Sequence, residues 1–74
     1  MIVYIIFNED YESNAKSLRD AVKAEWSDAS VNMMGINDTI NNAKYQIQLD
    51  GSVVYTGVNT TDNTTIINSI KERL

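Results

Sequence analysis

The side chains able to do chemistry in this chain are carboxylates, carboxamides and hydroxyls, because it contains no histidine and no cysteine. Thiol chemistry, imidazole acid–base chemistry and cysteine–histidine zinc sites are thereby excluded. The densest polar group is Asn8, Glu9, Asp10 and Glu12, with Tyr11 inside it. Three carboxylates in one loop can contact a hard divalent cation through their oxygens, although the EF-hand spacing is missing. Asp38 with Asn37, Asn41 and Asn42, and Asp62 with Asn59 and Asn63, are also oxygen-rich. Turns and helix N-caps select these same residue types for local hydrogen bonds, so solvated loops with capping acids are the simpler reading of all three groups. A glycosidase-like carboxylate pair must face across a cleft, and no spacing here places one. Serine nucleophiles lack their histidine, and Gly35, Gly51 and Gly57 are isolated, so no phosphate-cradling loop exists. No catalytic, cofactor-binding or metal-binding residue is assigned, and the sequence favours a protein that is not an enzyme. The alternative is a small carboxylate-dependent enzyme or metal-binding accessory using the residue 9–12 loop.

These groups have to be positioned by one small domain spanning residues 1–74. Its apolar content of 43 % is ordinary for a globular fold. Ten acidic residues against six basic give a net charge of −4, and Lys16, Arg19, Lys23, Lys44, Lys71 and Arg73 form no basic block. Nucleic acid and anionic membranes, which are bound chiefly through clustered Lys and Arg, are disfavoured as partners. Met1–Phe7 lacks a basic flank and meets Asn8-Glu9-Asp10 at once, so it reads as a first strand and not as a signal peptide. No apolar run approaches the roughly 20 residues of a membrane helix. Together with the missing cysteines this fits a cytoplasmic protein. The abundance of Asn, Ile and Thr suits a small phage or accessory protein.

The elements follow from periodicity. Residues 2–7 are an unbroken β-branched and aromatic run, expected as a central strand. Tyr11, Ala15, Leu18, Val22 and Trp26 recur every three or four residues, predicting a helix of about four turns, with Glu12–Lys16 and Lys16–Asp20 pairs on its exposed side. Residues 29–34 read as a second strand stopped by Gly35, in which only one of Met33 and Met34 can face the core. Residues 37–42 read as a polar loop. Ala43, Tyr45, Ile47 and Leu49 alternate with Lys44, Gln46 and Gln48, and Asp50-Gly51 is the favoured two-residue hairpin turn. Residues 52–56 return, residues 57–61 form a loop, and Thr61 or Asp62 caps a last helix whose apolar positions are Ile66, Ile67, Ile70 and Leu74. The expected architecture is α/β in the broad sense: an α+β two-layer sandwich of order β-α-β-β-β-α, with a four-stranded mixed sheet and both helices on one face.

Several local patterns resemble the selenoprotein W / Rdx family, a small branch of the thioredoxin-like fold. Tyr45-Gln46-Ile47-Gln48-Leu49-Asp50-Gly51-Ser52-Val53-Val54 is similar to that family's hairpin, and residues 57–74 look like its closing loop and helix. The closing segment also resembles the end of a glutaredoxin, without the proline that precedes that hairpin. The resemblance implies a thioredoxin-like topology over nearly the whole chain. Where the family carries Cys-x-x-Cys or Cys-x-x-selenocysteine, this chain has Asn8 and Tyr11, and the stretch from strand to helix is shorter. Asn and Tyr can neither form nor resolve a mixed disulfide. The redox function therefore does not carry over, and fold alone does not imply function.

What remains is binding. If Val3, Ile5 and Phe7 face the helices, then Ile2, Tyr4 and Ile6 face away, or the reverse; either way about three large apolar side chains lie on a sheet face that no helix covers. Exposed patches of that kind mark interfaces. The expected protein-binding residues are Tyr4, Ile6, Lys44, Gln46 and Gln48 on the sheet, and Asn8, Glu9, Asp10 and Tyr11 in the loop. Trp26, in phase with the helix's inner face, is assigned to the core. The expected partner is another protein or a second copy; a structural homodimer is a further alternative.

Overall fold

The computed structural model describes residues 1–37, 44–58 and 62–74. Strand β1 (Ile2–Asn8) leads through one 3-10 turn (Glu9–Tyr11) into α1 (Glu12–Glu25), followed by β2 (Ser30–Ile36), β3 (Lys44–Leu49), β4 (Ser52–Val58) and α2 (Asn63–Lys71). The sheet order is β2-β1-β3-β4. β1 and β2 are parallel, as a helical crossover requires, while β3 is antiparallel to both β1 and β4. The α+β architecture expected from the pattern is thus observed, in an order that matches the thioredoxin-like arrangement in outline.

Both helices cover the same face. Val3, Ile5 and Phe7 of β1 and Tyr45, Ile47 and Leu49 of β3 form one buried cluster with Ala15, Leu18 and Val22 of α1 and Ile66, Ile67 and Ile70 of α2. Trp26, Val31 and Met33 pack at its margin. The helices run parallel, tied at one end by Asn63 Nδ2 donating to Ser17 Oγ at 3.0 Å and at the other by Lys71 Nζ against Glu25 Oε1 at 2.9 Å. Asp62 caps α2, its carboxylate accepting from the Thr64 N–H at 3.1 Å. The ion pair between Lys16 and Glu12 forms at 3.9 Å, but Asp20 turns to Arg19 Nε at 3.1 Å instead of to Lys16.

Asp50-Gly51 makes the hairpin turn with both residues at positive φ, 49° and 90°, the type I′ signature. Asp50 also fastens the start of β1. Its Oδ1 accepts from the Ile2 N–H and its own N–H donates to the Ile2 carbonyl, both at 2.8 Å. Across the hairpin, Ile47 faces Tyr55 and Gln48 faces Val53, so Val54 is an extra residue and β4 carries a bulge.

Three boundaries differ from the sequence expectation. β2 does not stop at Gly35 but pairs it with Phe7 and continues to Ile36; a Cβ there would sit 3.3 Å from the Phe7 ring, so the glycine serves close packing and not a turn. β4 likewise runs through Gly57 to Val58, because the Tyr55 ring lies over that glycine, with its hydroxyl 2.8 Å from where a Cβ would be. The last helix ends at Lys71, and Leu74, in phase with its core stripe, is 71 % exposed. Tighter i→i+3 bonds from Arg73 and Leu74 to Ile70 and Lys71 turn the chain away before it can dock. The expected loop at 37–42 falls, apart from Asn37, outside the described residues, as do Ala43 and residues 59–61.

Candidate functional site

β1 is the second strand of the sheet, so its pleat decides what each face displays. With Val3, Ile5 and Phe7 turned to the helices, Ile2, Tyr4 and Ile6 point to the uncovered face. Directly paired residues share a face, which fills in the rest. Asn32 and Met34 of β2 flank Tyr4 and Ile6 on one side, and Gln48 and Gln46 of β3 flank them on the other. Val53 and Thr56 of β4 lie beyond the glutamines. Lys44 pairs with Val58 at the end of the hairpin.

The exposed large apolar residues concentrate here. Ile2 (44 %), Tyr4 (38 %), Met34 (53 %), Ile36 (37 %) and Val53 (44 %) are all at open-face positions, and only Leu74 joins them from elsewhere among the described residues. Ile6 is half-buried among them. The face is divided lengthwise. Its β1–β2 half is mostly apolar, whereas its β3 column carries a side-chain amide pair in which Gln48 Nε2 donates to Gln46 Oε1 at 2.8 Å. Ile36 escapes a reading that ends β2 at Gly35, whereas Val53 follows from the two-residue turn, which sets it opposite Gln48. Ile36 is visible in the sequence only as an apolar residue beside a glycine.

The β1–α1 turn is a separate group. Asn8 is 3 % exposed, and its Oδ1 accepts from the Asp10 N–H at 3.0 Å, capping the 3-10 turn. At that depth its side chain presents little surface beside the exposed Glu9 and Asp10. Tyr11 is half-buried at the N-cap position of α1, where its side chain makes no capping bond. Glu9, Asp10 and Glu12 point to solvent. Glu9 and Glu12 border a shallow cleft of about 470 Å³ floored by Phe7 and Gly35. This brings two carboxylates to an apolar floor but adds no nucleophile or base of a second kind. The Asp62 carboxylate is occupied in capping, by the Thr64 N–H and by Thr65 Oγ1 at 3.3 Å. Asp38, Asn41, Asn42 and Asn59 lie outside the described residues. Among the described residues no three acidic side chains converge as a metal site would require.

One group in the core is electrostatically unusual. Tyr45 is 1 % exposed and its hydroxyl has no hydrogen-bond partner. Burial, with a smaller contribution from Tyr55, pushes its pKa up to about 12. It lies on the helix-covered face, one strand from β1, and has no route to the open face.

No helix among the described residues is long and apolar enough to cross a membrane. No family profile, characterised protein or solved structure matches the chain. The site is therefore defined by its own geometry: a two-layer α+β domain whose sheet has one face packed by both helices and the other covered by no element among the described residues.

Proposed function

We propose that this chain is a non-catalytic protein-interaction domain that docks through the open face of its sheet. The frame is thioredoxin-like and similar to the selenoprotein W / Rdx family, with Asn8 and Tyr11 at the positions of the two chalcogens. One observation carries the reading: apart from Leu74, the large apolar side chains left exposed among the described residues gather on this one face. Scattered exposed apolar residues are normal, but a contiguous set is a mark of binding surfaces. The amides of Gln46 and Gln48 supply hydrogen-bonding groups for orientation.

The test is affinity. A partner captured with the immobilised domain is titrated against wild type and against the Tyr4→Ser/Ile6→Ser double variant. Burying side chains of this size is worth roughly 1.5–3 kcal/mol each, so the double variant is expected to bind at least tenfold more weakly. Equal affinity for the two proteins, with the variant still folded, overturns the proposal.

A further inference from the structure

We propose that the occupant of the open face is a second copy of this chain, packed sheet on sheet about a two-fold axis; this rests on the open face being the docking surface. The first argument is self-complementarity. A two-fold axis lying in the interface, perpendicular to the strands and level with the midpoint between Tyr4 and Ile6, lays the β1–β2 half of one sheet on the β1–β2 half of the other. Tyr4 then meets Ile6 of the second copy, and Gln48 meets Gln46 of the second copy. Apolar surface covers apolar surface, amide groups meet amide groups, and each contact occurs twice, as an isologous interface demands. Two copies of one right-twisted sheet also have the matching curvature for aligned packing about 10 Å apart.

The second argument is charge. The chain carries a net charge of −4, yet among the described side chains the open-face positions of the strands hold no acidic residue. Two acidic bodies can therefore approach along these positions without bringing carboxylates together.

Area sets the expected strength. Four strands, about 4.8 Å apart and about six residues long, present roughly 400 Å² of flat face per copy before side-chain relief is added. Two copies then bury about 800 Å² or more, below or near the low end of stable interfaces. The pair is expected to dissociate in the micromolar range and not the nanomolar.

Analytical ultracentrifugation of the full chain from about 1 to 500 µM tests this, with the range chosen to bracket a micromolar constant. Wild type is expected to shift with concentration from 8.3 kDa toward twice that mass, and Tyr4→Glu to remain at the monomer mass while keeping its circular dichroism and a cooperative melt. Because the chain has no cysteine, a single Gln48→Cys gives a unique handle. A short bismaleimide is expected to join it into dimers, and to leave the exposed α2 variant Asn68→Cys monomeric. Wild type that stays monomeric throughout overturns the proposal, as does a dimer that Tyr4→Glu leaves intact. A monomer that still binds another protein through Tyr4 and Ile6 removes the second copy and leaves the docking surface standing. A monomer whose captured partner ignores those residues removes both.

Discussion

Replacing Tyr45 by Phe removes a single oxygen from the core, and its consequences at two pH values can be worked out beforehand. The Tyr45 hydroxyl is buried without a hydrogen-bond partner. Leaving such a group unsatisfied costs about 1–3 kcal/mol, so Tyr45→Phe is expected to raise stability at pH 7 by about 1 kcal/mol or more. For a domain of this size that is roughly 4–8 °C in Tm per kcal/mol. The alkaline limb gives an independent reading. The phenol's pKa rises from 10.0 unfolded to about 12 folded. Below pH 10 both states keep the proton, so the group contributes nothing to the pH dependence. Between pH 10 and 12 the unfolded chain ionises while the folded one does not, so unfolding releases a proton and stability falls as pH rises. Two pH units correspond to at most about 3 kcal/mol. Urea titrations followed by Trp26 fluorescence, the chain having one tryptophan, would measure both effects. Wild type should lose stability steeply above pH 10, and Tyr45→Phe should lose that component while keeping the same m-value. A variant less stable than wild type at pH 7, or one with an unchanged alkaline slope, would refute the reasoning by showing that the hydroxyl is satisfied.

Two further outcomes are expected. Asp50→Ala places an alanine at φ 49° and removes the acceptor for the Ile2 N–H; the left-handed backbone and the lost bond each cost about 1 kcal/mol, so chemical denaturation should show a loss of roughly 2 kcal/mol, with Asp50→Gly recovering part of it. Millimolar Ca²⁺, Mg²⁺ or Mn²⁺ should leave the melting midpoint unchanged, because Glu9, Asp10 and Glu12 spread into solvent. An ion at about 100 times its Kd would add about 2.7 kcal/mol, and a midpoint rising with ion concentration would favour the carboxylate-loop alternative.

The β1–α1 turn bears most directly on the functional reading. In a thioredoxin-like redox protein this turn delivers a thiolate to a helix N-terminus. Here Asn8 folds its carboxamide back onto the Asp10 N–H, so the position is spent on starting the helix. The proposed docking surface lies instead on the sheet, where Tyr4 and Ile6 stand on the strand whose alternate residues build the core.

Local pattern was enough to locate the elements. The spacing from Ala15 to Val22, the alternation from Lys44 to Leu49 and the Asp50-Gly51 turn each state a period or a backbone requirement that neighbours alone impose. The sequence also determined, by lacking histidine and cysteine, which chemistries the chain cannot perform. It narrowed the open-face residues to one of two alternating sets on β1 without choosing between them. Tertiary structure made that choice, by setting Val3, Ile5 and Phe7 under both helices. It also carried β2 and β4 through Gly35 and Gly57, because the rings of Phe7 and Tyr55 need the space a side chain would fill. It shifted the register at Val54, so that Thr56 and not Tyr55 stands opposite Gln46, and it turned Leu74 away from a core that its spacing alone would have joined. The division has a physical reason: periodicity reports which side of an element is apolar, whereas a glycine, a bulge or a frayed end takes its meaning from the ring, strand or solvent it meets across the fold.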